Sequence, residues 1–179
     1  MAQKNNDCYI VYQKKSSPCA VVLPESLYFT IWRPSANKWF PPGMSRFFLL
    51  WTMFHWLQIF KNSDYSIVYI HCSDHIVHRS CAVPAYFRWP FMNNHDLQIS
   101  STWTHPQWRG KGLAVSALSH ITNVLSRPNR KFWYVTRSKN ISSIRVCQKA
   151  GFYEHSKARR VNRFGLRLLG SLELEDTLF

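Results

Sequence analysis

Two glycines with basic neighbours, Gly110 and Gly112, mark the stretch of the chain best suited to binding an anion. Glycine adopts positive φ readily and has no Cβ, so a ligand can approach its backbone closely. A helix predicted from Gly112 onward would point unpaired N–H groups and the positive end of its dipole at the same place. Arg109 and Lys111 add full charges. The stretch predicts a pyrophosphate site, although such a glycine pair can also serve only to connect a strand with a helix.

The spacing of the glycines restricts the type of site. A dinucleotide fingerprint needs a third glycine and a nucleotide P-loop ends in Gly-Lys-Ser/Thr, and neither pattern is present here. Gln107, Gly110 and Gly112 instead resemble the Gln-x-x-Gly-x-Gly/Ala signature of the GNAT superfamily of N-acetyltransferases. Residues 140–152 resemble that family's later motif, in which an Asn begins a helix that ends in Lys-Ala-Gly-Phe. The resemblance is good over residues 65–152 and poor in the N-terminal third.

This resemblance implies a fold, an activity and a set of ligand-binding residues. The fold would be a single α+β domain over residues 1–179, a mixed β-sheet flanked by helices, in which strands 96–104 and 131–136 splay apart and admit acyl-CoA. Residues 1–64 would form a divergent acceptor side, 65–169 the acyl-CoA core and 170–179 an acidic tail. The activity would be acetyl transfer from acetyl-CoA to an amine, without a metal. The implied cofactor-binding residues are Thr102, Thr104, Gln107, Trp108, Arg109, Gly110, Lys111, Gly112, Leu113, Ala114, Asn140 and Ser143.

Two further residues are candidates for proton transfer. The amine must lose a proton before it attacks, and Asp96 lies eleven residues before Gln107, similar to the catalytic carboxylate of histone-type members. Asp96 could equally cap its strand or pair with an arginine, and His95 and His105 are weaker candidates for the base. Cys147 stands where many members have a Tyr that protonates the departing thiolate. It would serve as that acid or pack as a small hydrophobe, and Tyr153 or water would then supply the proton.

Composition favours one folded domain. The chain has 179 residues, of which 46% are hydrophobic and 16% aromatic, enough for a single core and unlike a disordered chain. No uncharged apolar run is long enough to span a bilayer, and the first residues lack the apolar segment of a signal peptide. The five cysteines are an odd number without disulfide-like spacing, so we expect a reducing cytoplasm. The sequence indicates no oligomeric state.

The net charge of +14 is unevenly distributed. Residues 109–167 contain nine Arg and five Lys against one acid, Glu154. This excess coincides with both motifs, where an anionic cofactor would bind. A charge of this size also suggests nucleic acid, but the basic residues are scattered, so a solvated basic face is the alternative and nucleic acid is not expected.

Hydrophobic patterns predict the order of elements. Residues 27–32 are apolar but lie among prolines and remain unassigned, and a short extended piece is predicted at residues 19–23. Strands are predicted at 7–13, 65–72, 75–83, 96–104, 131–136, 152–155 and 162–169, and helices at 44–60, 112–126 and 140–151. A basic loop is expected between the last two strands, and the acidic residues 173–176 are expected to form a mobile tail.

The helix predicted at residues 44–60 is apolar nearly all round, which indicates burial on several sides. We expect it to flank an acceptor groove, with contact to a membrane surface as the alternative. The neighbouring hairpin at 65–83 concentrates six possible metal ligands: His71, Cys72, Asp74, His75, His78 and Cys81. Strand geometry argues against a zinc site, because His75 and His78 would point to opposite faces and His75 and Cys81 would lie about 20 Å apart.

The acceptor is the part of the function least visible in the sequence. Residues 88–92 and 96–99 resemble acetyltransferases encoded with bacterial surface-polysaccharide genes, which implies an amino sugar. A protein or peptide amine is the alternative acceptor. A non-catalytic acyl-CoA-binding or nucleic-acid-binding module is the alternative class.

Overall fold

The chain folds into one eight-stranded mixed sheet with three helices, as seen in a computed structural model that describes residues 8–16, 21, 23–163 and 166–175. The strands are β1 (Cys8–Lys15), β2 (Leu27–Trp32), β3 (Ser66–Cys72), β4 (His75–Pro84), β5 (Leu97–Thr104), β6 (Lys131–Arg137), β7 (Tyr153–Arg163) and β8 (Leu166–Leu174). The helices are α1 (Phe48–Trp56), α2 (Leu113–Val124) and α3 (Ile141–Lys149), and a 3₁₀ turn covers Pro106–Trp108. Within the described residues, no helix is long and apolar enough to cross a membrane.

The strand order is β2-β3-β4-β5-β6-β1-β7-β8. Every described pairing is antiparallel except that of β5 with β6, which is parallel and short. Only Leu97–Ile99 pair with Phe132–Tyr134, and beyond this point the two strands separate. The predicted α+β class, the mixed sheet and the splayed pair of strands are therefore confirmed.

The two faces of the sheet carry separate hydrophobic cores, because side chains alternate along each strand. Val11, Ile67 and Trp133 pack on the face that α1 covers. The neighbouring Tyr12 and Phe132 point to the other face, against α2 and α3. The sheet thus places α2 and α3 together beside the gap between β5 and β6.

Both ends of α3 follow the sequence signals. The Asn140 side chain accepts a hydrogen bond from the backbone N–H of Ser143 at 3.3 Å, which caps the first turn. Gly151 has φ of 79° and follows the last helical residues, where a left-handed residue is needed. The N–H of Phe152 then donates to the carbonyl of Cys147 at 3.0 Å. The predicted helix and both of its boundaries are confirmed.

The helix predicted at residues 44–60 is correct in kind but too long. α1 ends at Trp56, because Gln58 adopts a left-handed φ of 54°. The N–H of Ile59 then donates to the carbonyl of Phe54 at 3.0 Å, which closes the helix in the arrangement normally built with glycine. Its predicted burial on several sides is wrong, since Phe48 and Thr52 are its only buried residues.

Three further expectations need correction. Residues 27–32, unassigned from the sequence, form β2, which pairs with β3 at the edge of the sheet. Residues 156–161, predicted as a loop, continue β7 along β1 and β8. Glu173 lies in β8 rather than in a tail, and the N–H of Glu175 donates to the carbonyl of Lys157 at 2.9 Å. Most of the extended piece predicted at 19–23 lies outside the described residues, as do residues 176–179.

Candidate active site

A cleft of about 400 Å³ opens where β5 and β6 separate. Its walls are the end of β5, the glycine turn with the start of α2, and one face of α3. The lining residues are Thr102, Trp103, Thr104, Trp108, Arg109, Gly110, Gly112, Leu113, Ala114, Val115, Tyr134, Ser142, Ser143, Arg145, Val146 and Lys149.

The glycine turn at the mouth of α2 has the geometry of an anion site. Gly110 and Gly112 have φ of 78° and 79°, and a Cβ built on either would meet no atom within 4 Å. The first backbone bond of the helix runs from the N–H of Ser116 to the carbonyl of Gly112. The N–H groups of residues 113–115 therefore have no partner within the helix. Open space and free donors coincide, as a pyrophosphate requires.

Positive side chains surround the same space. Arg109 contributes from the turn, and Arg145 and Lys149 contribute from α3. No carboxylate is among the residues that line the cleft. The lining thus combines three cations with the positive end of a helix dipole, which fits a ligand that carries several negative charges.

An irregularity in β5 frees its backbone beside the cleft. Arg79 lies opposite Trp103 and Cys81 opposite Ser100, so two steps along β4 correspond to three along β5. Ser101 takes up the extra length with φ of 52°. A bulge of this kind interrupts the ladder locally, and β6 has already diverged at this level. The main chain around Thr102 is therefore available to a ligand.

Tyr134 brings a phenol to the point where the strands part. The hydroxyls of Thr102 and Ser143, which lie on opposite walls of the cleft, are its polar neighbours. Burial raises the pKa of Tyr134, while these two neighbours act in the opposite direction. The phenol is consequently protonated at neutral pH and can donate a proton.

His78 lies behind this wall and is fully buried. Its Nδ1 is 2.7 Å from the Thr104 hydroxyl and its Nε2 is 3.0 Å from the Ser80 hydroxyl. Ser80 in turn donates to the hydroxyl of Thr102 at 3.2 Å. Burial, helped by the charge of Arg79, lowers the pKa of His78 to about 4. A neutral imidazole thus holds two hydroxyls of the cleft wall in place.

The low pKa of His78 makes stability depend on pH. Unfolding returns this pKa to about 6.5, so the stability that the neutral imidazole contributes is complete above pH 6.5. It is lost as the pH falls through about 4, by up to about 3 kcal/mol. We expect His78→Gln, which cannot titrate, to lose less stability than the wild type between pH 7 and 4.5 in denaturant titrations. Equal losses in both proteins would contradict this account.

The structure brings together nine of the twelve residues predicted to bind the cofactor. They are Thr102, Thr104, Trp108, Arg109, Gly110, Gly112, Leu113, Ala114 and Ser143. The other three do not line the cleft. Gln107 is exposed in the 3₁₀ turn, the Lys111 ammonium lies 4.4 Å from the centre of the Trp108 ring, and Asn140 caps α3.

Asp96 is not brought to the cleft. It precedes the opposite end of β5, about 20 Å from Thr102 along an extended strand. It is fully buried, and it accepts hydrogen bonds from the Trp133 indole at 2.8 Å and from the N–H groups of Asn93 and Lys131 at 3.0 Å. These donors occupy both oxygens. The geometry favours support of β6 over proton abstraction.

We therefore expect Asp96→Asn to reduce stability rather than turnover. An amide has only one acceptor oxygen. Its NH₂ group would face one of the donors that now bond the carboxylate, and this unsatisfied contact lowers the free energy of unfolding by about 2–3 kcal/mol. The free energy of unfolding should fall by this amount, while the folded fraction keeps the wild-type kcat. A drop in kcat of about 100-fold or more, without loss of stability, would instead assign Asp96 the role of the base.

Cys147 and Tyr153 also lie outside the cleft lining. Cys147 is fully buried between the sheet and the helices, and burial raises the pKa of its thiol to about 12. The Tyr153 hydroxyl donates to Gln13 at 2.8 Å on β1. Neither placement suits proton donation to a ligand in the cleft.

Sequence reasoning missed several lining residues. Ser142, Arg145, Val146 and Lys149 follow the spacing of a single helix face, so the face could have been identified once Ser143 was assigned to the cleft. Tyr134 shares a face with Phe132 by strand alternation. No local pattern indicates that the pairing of β5 with β6 ends at Ile99 and Tyr134, where the cleft begins.

The metal-ligand cluster does not assemble in this structure. Among the described residues, no group of three or more His, Cys, Asp and Glu side chains is placed to hold a metal ion. His78 is instead hydrogen-bonded to hydroxyl groups.

Comparison with known proteins identifies the family. The sequence model of the acetyltransferase (GNAT) family matches residues 29–152. The chain therefore belongs to the GNAT acetyltransferase family, and the match begins in β2, well before residue 65. No curated protein matches the chain.

Solved structures show the same fold at low identity. A GCN5-related N-acetyltransferase from Sphaerobacter thermophilus is 18% identical over 86% of this chain and 50% of that chain, with a TM-score of 0.56. One from Kribbella flavida is 11% identical over 85% and 56%, with a TM-score of 0.54. A tandem GNAT protein from the clavulanic acid biosynthesis pathway is 10% identical over 86% and 52%, with a TM-score of 0.56. The chain thus spans about half the length of these structures.

Proposed function

We propose that this chain transfers the acetyl group of acetyl-CoA to a primary amine. The observation that carries the proposal is the open, donor-rich space above Gly110 and Gly112 beside the gap between β5 and β6. A glycine turn without further features could simply connect β5 with α2. Arg145 and Lys149 of α3 line the same cleft, and their charges support an anionic ligand.

The residues of the cleft divide the binding of acetyl-CoA among them. The N–H groups of residues 112–115, with Arg109, Arg145 and Lys149, would hold the phosphates. The freed backbone around Thr102 would bind pantetheine, and one of its N–H groups would stabilise negative charge on the carbonyl oxygen. When bound, acetyl-CoA supplies the acetyl group as an activated thioester.

Proton transfer is assigned to Tyr134 and solvent. Apart from Arg109, Arg145 and Lys149, Tyr134 is the only ionisable side chain in the lining. It carries its proton at neutral pH, and it is therefore the candidate to protonate the departing thiolate. No carboxylate or imidazole lines the cleft, and the amine would therefore arrive neutral or lose its proton to water.

For the acceptor we propose an amino sugar in a bacterial surface-polysaccharide pathway, and for the location the cytoplasm. The proposed acceptor rests on the resemblance of residues 88–92 and 96–99. In the structure, Trp89, Met92 and Leu97 are buried in the cores and do not line the cleft. The proposed location is supported by the free thiols of the described cysteines, Cys8, Cys72, Cys81 and Cys147.

A binding measurement followed by an activity measurement tests the proposal. Acetyl-CoA at about 100 times its dissociation constant should stabilise the protein by about 2.7 kcal/mol and raise Tm by several degrees. Release of CoA should then require an amine, tested with glucosamine and a lysine-containing peptide. Absence of a shift at millimolar acetyl-CoA would count against the whole assignment. A shift without turnover on any amine would favour a non-catalytic acyl-CoA-binding module.

A further inference from the structure

The outward side of α1 and the loop before it carry an exposed apolar surface, which we call the α1 patch. It consists of seven side chains that are 42–65% exposed: Trp39, Phe40, Phe47, Leu49, Met53, Trp56 and Leu57. On α1, Leu49, Met53 and Trp56 recur at the spacing of one helix face. The opposite face, with Phe48 and Thr52, is buried.

The α1 patch is one continuous surface. The ring of Trp39, from the loop, stacks on that of Trp56, from the helix, with 5.8 Å between their centres. The Trp39 indole N–H donates to the carbonyl of Ala36 at 2.9 Å. The loop is thereby fixed against the helix, and its aromatic side chains extend the apolar face. Soluble monomers rarely leave such a contiguous apolar surface without a partner.

The segment that carries the α1 patch has charges of one sign only. Residues 26–63 contain no Asp or Glu and include Arg33, Lys38, Arg46 and Lys61. All four basic side chains are exposed, and none of the four takes part in the ion pairs that Asp64 forms with Arg127 and Arg130. In a dimer formed through the α1 patch, these cations would lie close to the same cations of the second copy and repel them. The α1 patch is therefore complementary to a partner that is both apolar and anionic.

We propose that the α1 patch binds the surface of a bilayer that contains anionic phospholipid. Tryptophan favours the boundary between headgroups and acyl chains. Leu49, Met53 and Leu57 would enter that boundary, while Lys38 and Arg46 would meet the headgroups. The helix would lie on the membrane and not cross it. This interaction is independent of the acetyl transfer proposed above.

The loop between Phe40 and Phe47 of the α1 patch is connected to a wall of the cleft through Arg79. The Arg79 guanidinium lies 4.8 Å from the ring of Trp103, which lines the cleft, and it also donates to the carbonyl of Gly43. Gly43 belongs to the loop that follows Phe40. A bilayer bound at the α1 patch would thus lie on the Trp103 side of the cleft.

Sedimentation with vesicles tests the proposal. One set is made of phosphatidylcholine alone and the other contains about 30% phosphatidylglycerol, both in about 0.15 M salt so that long-range attraction is screened. We expect binding to the anionic vesicles to be at least about tenfold stronger. The double variant Met53→Ser/Leu57→Ser should lose at least about tenfold in affinity for them. Lys38→Ser/Arg46→Ser should lose the preference for anionic lipid.

A matched control separates the α1 patch from the basic half of the chain. Val124 and Ile141 are exposed apolar residues of α2 and α3, on the other face of the sheet. The variant Val124→Ser/Ile141→Ser should bind as the wild type does. Circular dichroism tests whether each variant is folded. If Met53→Ser/Leu57→Ser does not fold, the single variant Leu57→Ser replaces it in the binding measurement.

Three results would overturn the proposal. The first is wild-type binding by Met53→Ser/Leu57→Ser, which would assign binding to the other basic residues. The second is equal or absent binding to both kinds of vesicle. The third is a dimer in the absence of lipid, seen by light scattering, that the same double variant dissociates. In that case the α1 patch belongs to a second copy of the chain.

Discussion

Gly112→Asp is expected to weaken acetyl-CoA binding by at least about a hundredfold and to leave the fold intact. The new carboxylate would occupy the open space above the turn, where a Cβ meets nothing within 4 Å. Repulsion between two unit charges about 4 Å apart near a protein surface amounts to about 4 kcal/mol. A hundredfold loss requires about 2.8 kcal/mol, so the repulsion alone suffices. Calorimetric titration with CoA measures the effect.

Gly112→Asn is the matched control, because it has the same size without the charge. Gly112 has φ of 79°, a conformation that Asn and Asp tolerate better than most residues. A carboxylate at the start of a helix is also favourable in the absence of ligand, so Gly112→Asp should remain folded. The Asn variant should bind CoA more tightly than the Asp variant by at least tenfold. Wild-type affinity in a folded Asp variant would place the phosphates elsewhere.

Local chemistry explains why much of the site could be predicted from the sequence. The glycine turn needs positive φ at Gly110 and Gly112, and both residues have it. The helix after the turn and the Asn140 cap depend on neighbouring residues alone. These features are encoded within a few positions, and so the residues from Thr102 to Ala114 were largely identified.

The remaining features depend on contacts that no local pattern encodes. The left-handed residue that ends α1 is Gln58 rather than glycine, so no local pattern marks the end of the helix. Residues 156–161 are basic, yet they form a strand because β1 and β8 lie on either side of β7. The burial of Asp96 between the starts of β5 and β6 likewise follows from the parallel pairing of these strands.

The candidate proton donor shows the same limit. The family motif predicts Cys147 as a candidate proton donor, whereas the structure places the Tyr134 phenol in the cleft and Cys147 in the core. The position of Tyr134 depends on where β5 and β6 stop pairing. That point is determined by the bulge at Ser101 and the divergence after Ile99, both of which are tertiary features.

Tyr134→Phe is expected to lower kcat by about 100-fold with little change in the affinity for acetyl-CoA. The phenyl ring keeps the packing in the gap, and only the hydroxyl between Thr102 and Ser143 is lost. An acid must be protonated to act, so wild-type kcat should decline at high pH as the phenol ionises. The variant should lack this decline. Steady-state kinetics across the alkaline range, with CoA binding measured in parallel, tests both effects.

Two variants separate Tyr134 from the other candidate donors. Cys147→Ala should cost stability of about 1–2 kcal/mol through lost packing while keeping kcat, because the thiol is buried outside the cleft. Tyr153→Phe should keep kcat and should also cost stability of about 1–2 kcal/mol, since the buried Gln13 side chain on β1 loses its donor. A Tyr134→Phe enzyme with wild-type kcat and pH profile would leave solvent as the proton donor. Slow turnover in Cys147→Ala, with normal binding of both substrates, would assign the proton to the thiol, and the sheet would then have to open at α3 to expose it.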